Sequence, residues 1–147
     1  TAADRERGLQ LALAEAGLEL PDEYLIRPET FTYDEGRAGL KELLRREPGL
    51  TAVFCSSEML ALGAAGHLQA EGMNIPGDLS LVAFGDSDTS RFYQVPLTTI
   101  NQPTREMGRK AAEMLWRLLN EDSLAENRVK LPCRLVRRQS TGPPRPK

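Results

Sequence analysis

The chain is predicted to fold as an α/β domain, a parallel sheet with helices on both faces. Two observations carry this reading. Short, apolar, β-branched runs, "TAVFC" at 51–55 and "LSLVAF" at 79–84, have the continuous hydrophobicity of strands buried on both faces. Between and around them stand segments with apolar residues at helical spacing, so that helix, strand and helix alternate as crossover units require.

From Ala2 to about Ala16, Leu9, Ala12, Leu13 and Ala16 recur at helical spacing, and Gly17 follows as a stop. "EYLIR" at 23–27 is a short strand candidate. A second helix, Tyr33 to about Glu47, places Gly36, Leu40, Leu43 and Leu44 on one face and ends at Pro48-Gly49. The "TAVFC" strand follows, then a third helix from Glu58 to about Glu71, with Ala61, Ala64, Ala65 and Leu68 inward and Gly72 as its stop. The turn-like Pro76-Gly77-Asp78 leads into "LSLVAF". After Gly85 come a polar loop, the extended "LTTINQ" and a fourth helix whose apolar face carries Met107, Ala111, Met114, Leu115 and Leu118. A last strand is expected at about 129–138, and "TGPPRPK" is a tail.

The chain has 147 residues, about one domain's worth, and its 40% apolar and 27% charged residues are an ordinary globular balance. No run approaches the ~18 apolar residues of a spanning helix, so no membrane partner is expected. The first residue is Thr1 rather than Met, which reads as a processed or excised piece. A net charge of -2 speaks against a nucleic-acid surface on this piece. The basic "RRQS" and "RPK" stretches read as solvated ends. Cys55 and Cys133 have no disulfide-framework or metal-ligand spacing; two buried, reduced thiols fit best and suggest a cytoplasmic protein.

Open parallel sheets bind ligands beyond the carboxyl ends of their strands, here Pro28–Phe31, Ser56–Glu58 and Gly85–Asp88. Ser57 as a nucleophile lacks both a Gly-x-Ser-x-Gly elbow and a reachable base, because His67, the one histidine, lies about three helical turns on. His67 reads as a helix-surface or interface residue. Glu58, Asp86 and Asp88 suit either a metal or acid/base pair, or the plainer roles of helix-start acid and turn formers. No catalytic residue, metal or cofactor is assigned.

Several ordered motifs resemble one family. The strand-turn-helix ending in "ALGA", the "IPGDLSLVAFGD" stretch, "PLTTINQP" with Gly108 five residues on, and the closing "RRQST" are together similar to the carboxyl-terminal half of the effector-binding core of lactose-repressor/galactose-repressor (LacI/GalR) family transcription regulators. The resemblance implies a periplasmic-binding-protein-like core of two lobes, joined by three chain crossings, with a small effector between them. Residues 1–100 would be the carboxyl-terminal lobe without its first strand. Residues 101–139 would be a crossing segment, helix and strand of the missing amino-terminal lobe, and 140–147 a tail crossing back. A strand ahead of the first helix would be central, so the fragment should not close its sheet unaided.

The resemblance also implies a site. Arg5 matches an arginine aimed at the effector, against the plain reading of an exposed helix charge, and Phe31 matches an aromatic that stacks on it. Gln102 lies in the crossing. Where the family usually carries Asn-Asp, this chain has Ser57-Glu58, and where it usually carries Asp it has Gly85. Asp86 or Asp88 would be the substitute, and the gap at Gly85 points away from a plain neutral monosaccharide and toward an anionic effector. Effector contacts are thus expected at Arg5, Phe31, Ser57, Asp86 and Gln102. The resemblance further implies a homodimer through Ala61, Ala64, Ala65 and Leu68, and operator DNA bound only through a missing helix-turn-helix headpiece. A periplasmic sugar-binding protein is the runner-up, and a flavodoxin-like hydrolase using Ser57 or Asp86 is third.

Overall fold

A computed structural model describes residues 1–120 and 128–145. In chain order it contains α1 (Ala2–Glu15), a single 3-10 turn at Asp22–Tyr24, α2 (Tyr33–Arg46), β1 (Ala52–Cys55), α3 (Glu58–Ala70), β2 (Ser80–Phe84), α4 (Asp88–Arg91), β3 (Thr98–Asn101), α5 (Thr104–Leu119) and β4 (Arg134–Val136). The sheet order is β1-β2-β3-β4, with the first two pairings parallel and β3–β4 antiparallel. The sheet is therefore mixed, where an all-parallel one was expected. The last strand is also shorter than 129–138, and Pro132, which has no N–H to give a ladder, lies just before it.

The core lies on one face. Val53 pairs with Leu81 and Cys55 with Ala83, so these side chains point the same way, and α3 packs over them. Leu60, Ala61, Ala64, Ala65 and Leu68 of α3 are buried there, with Leu40 of α2 behind them. Val82 and Phe84 alternate to the other face, where Arg5 of α1 stacks its guanidinium 3.8 Å from the Phe84 ring centre.

α3 approaches α2 closely because glycines line the crossing. A Cβ at Gly36 would strike the Leu60 backbone, and one at Gly63 would strike the Tyr33 carbonyl oxygen. The residues expected to meet a second copy of the chain lie instead within the core formed with the sheet. Ala61, Ala64, Ala65 and Leu68 are 0–1% exposed in the single chain, which leaves them no surface for a partner. His67, expected at a surface or interface, is also buried.

"EYLIR" does not form a strand. Tyr24 closes the 3-10 turn and Leu25 is extended (φ -108°, ψ 127°), yet the segment pairs with no strand among the described residues. Between Leu25–Arg27 and the outer edge of β1 runs an apolar groove of about 630 Å³, floored by Leu40, Leu43, Val53 and Ala64 and flanked by Leu9 of α1. That gap explains why α1, though periodic as expected, buries no residue. α5 buries none either: Leu115, Trp116, Leu118 and Leu119 on it are more than half exposed.

The "LTTINQP" stretch is more than a connector. Thr98 and Thr99 are buried within β3, between β2 and β4, and only Gln102-Pro103 leaves the sheet. "RRQS" is not a solvated end. Ser140 is fully buried; its hydroxyl donates to the Leu81 carbonyl (2.6 Å) and accepts from the Thr98 N–H (2.7 Å), while its own carbonyl accepts from the Leu81 N–H (2.8 Å). The tail thus stitches β2 to β3. Of the two cysteines, Cys55 is buried and Cys133 exposed, where both were expected inside.

Candidate functional site

The carboxyl ends of β1, β2 and β3 lie side by side, and two charged clusters form there.

The first joins α1, α3 and the turn after β2. Thr1 caps α1 through its hydroxyl and Asp4 returns the bond to the cap, which sets the first turn and carries Arg5 over the sheet. Besides stacking on Phe84, Arg5 donates from Nη1 to the Ser56 carbonyl (2.5 Å). One edge of its guanidinium is thereby held, and the rest of the fork carries further donors. Ser57 caps α3, its hydroxyl accepting from the Leu60 N–H at 3.3 Å. Glu58, the first residue of α3, reaches across to the next strand end. Its Oε1 accepts from both the N–H (2.8 Å) and the hydroxyl (2.9 Å) of Ser87.

Glu58 also lies against Gly85. Gly85 has φ +112°, a conformation that L side chains rarely adopt, and a Cβ built there would come within 2.9 Å of Glu58 Oε2. The space expected to stand open at Gly85 is thus taken up by the Glu58 carboxylate. Sequence alone could not show this, because a glutamate at a helix start has a sufficient local reason to be there. The usable signal was the coincidence of a glycine after one strand with an acid after its neighbour.

The second cluster surrounds Asp86. Its Oδ1 accepts from the Thr99 hydroxyl (2.8 Å) and pairs with Arg138 Nη2 (2.7 Å), and its Oδ2 accepts from Asn101 Nδ2 (2.8 Å). Arg138 also donates from Nη1 to the Leu97 carbonyl (2.8 Å) and the Thr99 hydroxyl (3.0 Å). The side chains of Arg138 and Asp86 are only 16% and 8% exposed. Burial works to raise the Asp86 pKa, but the bonds from Asn101, Thr99 and Arg138 outweigh it and hold the carboxyl below its ordinary value. Both Asp86 oxygens are thus engaged within the protein, a clamp between the closing motif and the strand ends.

The remaining expected residues are dispersed. Phe31, 46% exposed, lines the apolar groove together with Ser56. Gln102 borders a wide depression with Asn101, Pro103 and Arg109, and its backbone carbonyl accepts from the Thr104 N–H at 2.8 Å. Asp88 starts the short α4 and pairs with Arg91 at the surface. Among the described residues no group of three or more His, Cys, Asp or Glu side chains could hold a metal.

A family model for the periplasmic binding protein-like domain matches residues 1–141. The HTH-type transcriptional regulator CelR of Thermobifida fusca is 37% identical over 137 residues, 93% of this chain and 40% of that protein. The HTH-type transcriptional repressor CytR of Escherichia coli K12 is 34% identical over 93% of this chain and 40% of its own length. The chain therefore spans about two fifths of the curated relatives it matches. Among solved structures, the transcriptional regulator CelR–cellobiose complex superposes with a TM-score of 0.88 at 35% identity, over 95% of this chain and 42% of that one. The regulator CcpA of Lactococcus lactis gives 0.87 at 28% identity, over 95% and 51%. By its fold and these matches, the chain belongs to the periplasmic binding protein-like domain family, in the form that LacI-family transcription regulators carry.

Proposed function

We propose that this chain is the effector-sensing part of a DNA-binding transcription regulator, in which a small molecule bound beyond the strand ends changes the operator affinity of a headpiece outside these residues. The observation that carries the reading is Arg5: a cation stacked on Phe84 and tethered to the Ser56 carbonyl, with spare donors at the carboxyl end of the sheet. Such a preorganised fork recognises paired oxygens at little cost in ordering.

The lobe boundaries proposed remain 1–100, 101–139 and 140–147. The groove beside β1 supports a missing first strand, and the face of α5 that no other described residue covers supports a missing lobe. Operators with two-fold symmetry favour a homodimer in the cytoplasm, built on a surface other than the buried face of α3. The relatives are transcription regulators, which makes the periplasmic alternative less favoured and supports a non-enzymatic role. Ser57 spends its hydroxyl on a helix cap, which disfavours the hydrolase.

A thermal-shift screen of the full-length regulator against sugars, nucleobases and phosphorylated metabolites tests the reading, each hit being followed by an operator gel shift. A ligand that raises Tm and changes operator affinity supports it. Absence of any such ligand, or a hit unaffected by Arg5→Ala, overturns the site.

A further inference from the structure

We propose that Glu58 is the specificity-determining acceptor of the effector site, its free oxygen Oε2 occupying the space that a side chain at position 85 would otherwise claim. The inference rests on the effector-site reading above and names the residue and ligand chemistry within it.

The geometry separates the two oxygens of Glu58. Oε1 is tied to the N–H and hydroxyl of Ser87, which holds the carboxylate in place across the strand ends. Oε2 lies toward Gly85, and no protein donor bonds it among the described residues. A carboxylate fixed at one oxygen is a preorganised acceptor at the other. It is adjacent to the Arg5 cluster through the chain itself: Arg5 touches Ser56 and Phe84, while Glu58 touches Ser87 and the space at Gly85, the positions that follow them closely.

Side chains at positions 58 and 85 compete for the same space. A side chain at 85 would make Glu58, whose Cγ is 3.0 Å and Oε2 2.9 Å from the Cβ position there, move aside, so the carboxylate next to this position is delivered from the helix rather than from residue 85. The partner chemistry follows. Glu58 accepts, Arg5 donates, and their charges offset, so the pair fits a neutral ligand that presents a hydroxyl donor to one and an oxygen acceptor to the other. An anionic group against Glu58 would meet like charge. The leaning toward an anionic effector rested on Arg5 and on too few acceptors at Ser57 and Gly85, and Glu58 supplies the acceptor missing at Gly85.

The test is calorimetry on the full-length regulator with cellobiose, glucose and glucose 6-phosphate as probes, on wild type, Glu58→Gln, Glu58→Ala and Ser87→Ala. Glu58→Gln keeps an oxygen for Ser87 but replaces the free acceptor by a donor. A neutral sugar should bind wild type more tightly than glucose 6-phosphate does, and Glu58→Gln should weaken it about 10-fold or more with Tm unchanged. Glu58→Ala should weaken binding at least as much. Ser87→Ala, which leaves the free oxygen and the backbone bond in place, should change affinity by only about 2-fold. Equal sugar affinity in wild type and Glu58→Gln overturns the proposal, as does preference for the phosphate ester. If none of the three probes binds but the wider screen finds a ligand of another class, the effector site stands and this assignment falls. If the wider screen also finds none, the effector-site reading itself fails.

Discussion

Asp86 and Arg138 show how a charged residue at a strand end can be structural. Each is largely shielded from water beside its partner, so removing one leaves a partly buried ion without compensation, a loss of about 2 kcal/mol. Arg138→Met and Asp86→Asn should each lower the denaturant midpoint, and a double variant should recover part of the loss. Because Asp86 has a lowered pKa in the folded chain, its contribution is present above the ordinary carboxylate range and disappears as pH falls through the folded value. Stability of the wild type should therefore drop more steeply than that of Asp86→Asn on acidification, as followed by circular dichroism. The cysteines give a simpler readout. Burial pushes the Cys55 thiol up to about 12, so at pH 8 it holds almost no thiolate, whereas Cys133 is exposed. Iodoacetamide should modify Cys133 first and Cys55 only after unfolding, as mass spectrometry of the tryptic peptides would show.

Among the elements, the α2–α3 crossing is the most demanding. At Gly63 an added methyl meets the Tyr33 carbonyl, part of a helix that cannot yield locally. At Gly66 it meets the Tyr33 hydroxyl, the end of a side chain that is 41% exposed and able to swing aside. Gly63→Ala should thus cost about 3 kcal/mol and Gly66→Ala about 1 kcal/mol, with chemical denaturation as the measure. An equal cost at both would mean that Tyr33 is held as firmly as the backbone. Periodicity marked Ala61, Ala64, Ala65 and Leu68 as one face of a helix but could not say which surface they meet, and it singled out neither Gly63 nor Gly66. A small-residue stripe is the same in sequence whether its neighbour is another helix of the chain or a second copy.

At the scale of the whole molecule, the described residues leave two apolar surfaces open, the groove beside β1 and the exposed apolar face of α5. Extending it upstream of Thr1 with native sequence should fill the groove, raise Tm and reduce binding of a hydrophobic dye; no change would argue against a missing first strand. Residues 1–147 alone, with a net charge of -2, should give no salt-resistant, operator-specific gel shift, and the full-length regulator should give one.

The sequence by itself determined the α/β class, the ends of α1, α2 and α3 to within a residue, and the strands at 52–55 and 80–84, because these depend on local periodicity; it did not show the short α4, and β1, expected to be buried on both faces, buries only Cys55. Ordered motifs also sufficed for the family. Tertiary structure alone decided three things. "EYLIR" stays unpaired because a strand needs an edge to bond, and none adjoins it among the described residues. Arg138 and Ser140 turn inward because their partners, Asp86 and Leu81, stand more than fifty residues away in the chain. Glu58 meets Gly85 because a parallel register sets the ends of β1 and β2 side by side, and spacing along one strand carries no information about its neighbour.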